Sequence, residues 1–226
     1  MSFADGDVPG GPGGAGEAAG EAVCEGTGEG TRGRLVRTAA ALLEKEGRAA
    51  VTLRAVGAGA GVSRSAAYRY FDSKDALLAA VATQALTSMT ESLAAALARV
   101  PMSDPHGRLV EMGRAYLDFA GTNPQQYALI YSREVAEVDW PELGPAAAAA
   151  YGLFVEATAR AAEAGILPPG DPRPFAAVLL AAAHGAADLT SAGHLQPDKW
   201  GIEAGELTRL LLEMVSPVSR VSRSGS

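Results

Sequence analysis

Apolar residues recur along this chain at helical spacing from Leu35 to Met214, and no stretch of any length alternates apolar with polar as a half-buried strand must. That property restricts the fold to helix packed on helix. Composition agrees: apolar residues make up 48% and aromatics only 6%, with long Ala stretches that suit helices better than aromatic or β-branched strands. At 226 residues the chain can bury a core without disulfides or metal. Cys24, the one cysteine, has no internal partner, which removes disulfide frameworks and all-cysteine metal sites. The longest run without a polar side chain, about Phe175 to Ala183, falls far short of the ~18 residues of a membrane span, so no membrane partner is expected.

Charge is unevenly distributed. Residues 1–31 carry six acids and no base, together with ten Gly and two Pro, so they predict a disordered acidic tail. They lack the basic start and apolar core of a secretory signal, which predicts a cytoplasmic chain. Residues 32–80 hold nine Lys/Arg against four Asp/Glu, a local excess of five positive charges inside a chain whose net charge is −7. Such an island is the footprint of a surface that meets a polyanion, although chance clustering gives the same count.

The spacing predicts nine helices. The first runs from Arg32 to Gly47; Thr52 caps a short second, Ser63 caps a short third from Arg64 to Phe71, and Ser73 caps a long fourth from Lys74 to about Arg99. A fifth carries Leu109, Met112, Tyr116 and Phe119; a sixth runs from Pro124 to about Val135, and residues 136–144 read as a loop. The seventh spans Pro145 to Ala164, the eighth Pro174 to about Leu189, and the ninth roughly Glu203 to Val215, before a flexible tail over 217–226.

The second and third helices, joined through Gly59-Ala60-Gly61-Val62, have the layout of a helix-turn-helix, whose second helix enters the DNA major groove. Arg54 and Arg64 can read guanine bidentately; Ser63 and Ser65 sit at the positive end of the third helix; Tyr68, Arg69, Tyr70 and Lys74 suit phosphate.

At Thr52-Leu53-Arg54-Ala55-Val56, Ala60-Gly61-Val62-Ser63 and Tyr68-Arg69-Tyr70-Phe71-Asp72-Ser73-Lys74-Asp75-Ala76-Leu77-Leu78 the chain resembles the TetR family of transcriptional regulators. The resemblance covers about residues 32–80. It implies an all-helical homodimer with an N-terminal three-helix DNA-binding domain (32–78) and a C-terminal helical domain (79–216) that binds a small effector and dimerises. It also implies base contacts at Arg54 and Arg64, and backbone contacts at Tyr68, Tyr70 and Lys74. The sequence departs from the family at Gly57, where Ala is usual, at Ala66, where Thr is frequent, and at Ala67, where a larger apolar residue is usual. Further on, Ala183-His184-Gly185 is similar to the C-terminal type marked by Trp-His-Gly, with Ala183 in place of the Trp.

Met89, Met112, Tyr116, Phe119, Tyr127, Tyr131, Tyr151 and Phe154 are candidates to line an effector cavity among the fourth to seventh helices, although such a stripe is ordinary core more often than a ligand box. His184 and Asp188 share a helix face, but no third ligand joins them at helical spacing; a His–Asp hydrogen bond within or across a helical interface accounts for the pair, and neither metal nor cofactor is expected. His106, His184 and His194 accompany no recognisable nucleophile, so no enzyme is expected. Phe175, Val178, Leu179, Ala182, Ala186 and Leu189, beside the ninth helix, predict a four-helix dimer interface. The chain thus reads as a ligand-responsive regulator, with repression the expected effect: it binds a palindromic double-stranded DNA operator and is released by a small, mostly apolar effector. The rival is a helical-bundle enzyme or small-molecule carrier whose basic island is incidental.

Overall fold

The computed structural model describes residues 30–215. The acidic tail up to residue 29, Cys24 and the tail over 217–226 lie outside the described residues. Eleven α-helices and two 3-10 turns follow one another, with no strand among the described residues. They are α1 Thr31–Glu46, α2 Leu53–Gly59, α3 Arg64–Tyr70, α4 Lys74–Ala98, α5 Pro105–Thr122, α6 Pro124–Ile130, α7 Arg133–Ala136, α8 Leu143–Glu163, α9 Pro172–Ser191, α10 Pro197–Trp200 and α11 Leu207–Val215. The 3-10 turns are Arg48–Ala50 and Ala204–Glu206.

The local signals explain the N-terminal helices. Thr52, Ser63 and Ser73 each accept from the backbone N–H three residues on, at 3.1, 3.2 and 3.0 Å, satisfying donors that the first helical turn leaves free. Gly47 takes a positive φ of 77° and returns its N–H to Leu43 O at 2.8 Å, ending α1.

Differences from the expected elements have identifiable causes. The sixth helix breaks at Tyr131-Ser132, where the Ser132 side chain caps Val135 and starts α7 afresh. α8 begins two residues before Pro145, which sits in the first turn where its missing N–H costs nothing. α9 likewise starts at Pro172, capped by Asp171, and not at Pro174. The turn at Arg48–Ala50 and the short α10 are additions to the expected elements.

Two apolar cores result. One gathers Leu35, Leu43, Val56, Ala67, Phe71 and Leu77 with Leu129 and Val135; the other gathers Met89, Leu93, Tyr116, Phe154, Ala161 and Leu179. α4 serves both: its first turns close the N-terminal core and its later turns enter the C-terminal one. At ~1.5 Å per residue, its 25 residues form a rod of roughly 37 Å between them.

Candidate functional site

α3 is held by one face. Ala67 is fully buried beneath α2, and Phe71, directly after α3, is 1% exposed and stacks on Trp140 at 6.2 Å. Everything opposite is open: Arg64, Ser65, Tyr68, Arg69 and Tyr70 are exposed on α3, and Arg54 is exposed on the first turn of α2. The Arg64 guanidinium lies 5.6 Å from the Tyr68 ring one turn on, a cation–π contact that holds both side chains over the outer surface. Ser63 is occupied as the cap, with its Oγ 3.0 Å from Ser65 Oγ. Lys74 is half-buried, and its Nζ donates to Arg48 O at 2.8 Å, securing the 3-10 turn after α1.

Among the clefts of the C-terminal half, two adjoin the candidate effector residue Tyr131. The first, about 260 Å³, lies among α4, α6–α7, α8 and α9 and is lined by Met89, Tyr131, Tyr151, Phe154, Leu86 and Leu180 among others. The second, about 570 Å³, lies among α5, α6 and α9 and is lined by Tyr127, Tyr131, His184 and Asp188 with small and apolar neighbours. Tyr131 is their common wall. Of the candidate effector residues, Met112, Tyr116 and Phe119 are buried in the core and line neither cleft.

Behind Tyr131 the hydroxyls converge. Tyr127 Oη lies 2.6 Å and Tyr116 Oη 3.3 Å from His184 Nδ1, and Tyr116 Oη donates to Tyr131 Oη at 2.8 Å. Asp188 Oδ2 is 3.4 Å from His184 Nε2, one helical turn away, which realises the pairing expected from their spacing. Rings pack tightly around the imidazole, with Tyr131 at 4.4 Å and Tyr127 at 5.5 Å between centroids. Burial, reinforced by the neighbouring phenols, pushes the Tyr116 hydroxyl far above its usual range; burial also raises Tyr127 and Tyr131. All three therefore keep their protons at neutral pH.

The sequence matches two family models in register with these two halves. The model described as bacterial regulatory proteins, tetR family, matches residues 35–81, and the one described as tetracyclin repressor-like, C-terminal domain, matches residues 109–215. The chain belongs to the TetR family. Among solved structures, this TetR regulator is similar to a protein of unknown function from Rhodococcus sp. RHA1, with 29% identity, a TM-score of 0.72 and coverage of 84% of this chain and 95% of that one. The TetR family regulator PfmR from Thermus thermophilus shares the fold at 19% identity and a TM-score of 0.58, covering 81% and 97% of the two chains. AibR in complex with isovaleryl coenzyme A and operator DNA shares it at 17% and 0.58, covering 83% and 99%. No curated protein matches the sequence.

Membership makes this TetR protein a DNA-binding transcriptional regulator with a helix-turn-helix at α2–α3. Three polar contacts tie its N-terminal helices to the C-terminal half. Glu44 accepts from Gln125 N and Gln126 N at 3.0 and 3.2 Å, Arg48 pairs with Glu134 at 2.9 Å, and Arg32 pairs with Glu142 at 3.1 Å. Arg32 also sits 5.5 Å from the Trp140 ring, so residues 136–144, expected only as a loop, brace the DNA-binding core. The expectations place Tyr127 and Tyr131 together with Met89, Tyr151 and Phe154 but do not bring His184 to them. The available signal is that Tyr127/Tyr131 and His184/Asp188 are both i,i+4 pairs, each presenting polar atoms to one side of its helix.

Proposed function

We propose that the protein is a cytoplasmic, ligand-responsive repressor that acts without catalysis and binds a palindromic operator as a homodimer. In this reading the DNA-binding domain spans residues 32–78 and the effector and dimerisation domain 79–216. Arg54 and Arg64 read bases; Ser63, Ser65, Tyr68, Arg69, Tyr70 and Lys74 hold the backbone, Lys74 with the protons not given to Arg48 O. Two copies of α3 enter successive major grooves ~34 Å apart.

The dimer forms through α9 and α11. Val178 and Leu189 on α9 are 51% and 48% exposed, and Leu210 and Met214 on α11 are 40% and 70% exposed, an apolar face that a second copy of itself would cover.

The observation that carries the regulatory reading is that α4 belongs to both cores, with Leu77 beneath α1–α3 and Met89 on the first cleft. A small, mostly apolar effector in the clefts displaces α4 and alters the spacing of the two recognition helices. A coupling of ~1–3 kcal/mol suffices for a roughly 5- to 150-fold change in operator affinity. AibR, which shares only the fold, is found with a ligand and operator DNA together, and supports the same division of labour here.

The test is a gel shift with the DNA flanking the protein's own gene, with and without unlabelled competitor. Specific retardation by two chains per site is expected; retardation that random duplex competes away equally would overturn the proposal.

A further inference from the structure

Tyr131 stands between the two clefts, and the proton count behind it determines what it can offer a ligand. Asp188 can only accept, so in the neutral ring it sets the His184 proton on Nε2 and leaves Nδ1 with one lone pair. Tyr127 fills that lone pair at 2.6 Å. The Tyr116 proton then goes to Tyr131 Oη at 2.8 Å, because Nδ1 at 3.3 Å is engaged and Tyr127 Oη at 3.5 Å is far. Tyr131 accepts in this chain, and among the described residues no acceptor takes its own proton. The residue is 42% exposed and lines both clefts, which is where an incoming molecule would meet it.

The surroundings limit what the molecule can be. Among the described residues no Lys, Arg, Asp or Glu lines the first cleft, and the only charged side chain on the second is the Asp188 carboxylate. An anion would be desolvated there without a counter-charge, and a cation would find no carboxylate in the apolar cleft. A carbonyl oxygen accepts a proton and brings none of its own. The first cleft, at about 260 Å³, is smaller than the ~300–1,000 Å³ of typical drug-sized sites, which limits the guest to a single ring or a short chain.

We infer that the effector is a small, neutral, mostly apolar carbonyl compound whose oxygen accepts the free Tyr131 hydroxyl proton while its hydrocarbon body fills the cleft between α4, α8 and α9. This rests on the reading of the clefts as the effector site.

The probes are acetophenone and α-methylstyrene, which share one shape and differ in C=O against C=CH2. Ligand-observed NMR titrations of the full-length protein are expected to show acetophenone binding about 3- to 10-fold tighter, the yield of one net hydrogen bond. Tyr131→Phe is expected to abolish that preference by weakening acetophenone towards the affinity of α-methylstyrene, and, because it also removes the acceptor of the buried Tyr116 hydroxyl, to lower the thermal midpoint modestly. Equal affinity of the two probes for the native chain overturns the inference without needing the variant, and so does a preference that survives in Tyr131→Phe. Equal binding leaves the cleft reading intact, whereas failure of both probes to bind removes the cleft reading as well.

Discussion

The Glu44 carboxylate, near the end of α1, accepts from the backbone N–H of Gln125 at 3.0 Å, and its second oxygen accepts from Gln126. A side chain of the DNA-binding half thus caps α6, whose middle and C-cap bring Tyr127 and Tyr131 to His184. A carboxylate at this position satisfies orphan donors and complements the positive end of the helix dipole. Glu44→Ala is expected to cost about 0.5–2 kcal/mol, as loss of an N-cap does. Native-state hydrogen exchange checks the cause as well as the size: the amides of Gln125 and Gln126 should lose protection, and unchanged protection there would contradict the capping role.

Arg64 and Lys74 are expected to behave differently on substitution. Among the described residues Arg64 touches no carboxylate, and it rests on Tyr68, so Arg64→Ala should leave the thermal midpoint nearly unchanged and cost about 1–3 kcal/mol of discrimination between operator and altered sites. Lys74→Ala removes the donor to Arg48 O, so it should lower stability and weaken binding to all sequences alike. Anisotropy titrations paired with thermal melts separate the two patterns.

The helices of the N-terminal half are legible in the sequence because their signals are local. Thr52, Ser63 and Ser73 each stand three residues before the amide they cap, and Leu35, Ala39 and Leu43 lie on one face of one helix. The polar cluster is not legible, because Tyr127 and His184 are 57 residues apart and meet only through the packing of α6 against α5 and α9. Lys74 reads as a free charge for the same reason, since its acceptor is 26 residues back in a 3-10 turn with no sequence signature. The break between α6 and α7 does have a local sign, the capping residue Ser132, which the unbroken apolar period conceals.

Two glycines should respond in opposite directions. A Cβ on Gly57 would meet Ala67 Cβ at 3.5 Å, an ordinary contact, so the departure from the family's usual Ala is not required by packing. Gly57→Ala should stabilise by about 0.5–1 kcal/mol by improving helix propensity in α2. A Cβ on Gly113 would lie 2.9 Å from Thr208 Cβ, where α5 and α11 approach closely. Gly113→Ala should therefore destabilise by about 1–3 kcal/mol and push α11 outward. Denaturant midpoints of the two variants against the native chain give both signs.

Acid should loosen the same α11 contact. Hydrogen bonds from Arg209 and then Arg114 hold the Glu206 carboxyl below its usual range. A depressed carboxylate contributes stability that is fully present above its unfolded value near 4.5 and is lost as pH falls through the lower folded value. Glu206→Gln should accordingly flatten the stability profile below about pH 4.5 and leave it parallel to the native profile above. Chemical unfolding from about pH 3 to pH 7 measures the difference.

In the proposed dimer a second chain covers Val178, Leu189, Leu210 and Met214, which are exposed in the single chain. Leu189→Glu would place a charge on that face beside Leu210 and Met214, and sedimentation should then show a monomer while circular dichroism shows unchanged helix content. A native chain already monomeric at micromolar concentration would contradict the assignment of α9 and α11.

The most direct test of the whole account is the salt dependence of binding to the DNA flanking the protein's own gene, followed by anisotropy beside a scrambled duplex of equal length. Several phosphate contacts by the basic residues around α3 should give a steep linear fall of log affinity with log salt, together with a preference for the native sequence that Arg64→Ala erodes. A flat salt response, or equal affinity for the scrambled duplex, would contradict it and return the basic island to an incidental feature of a helical bundle.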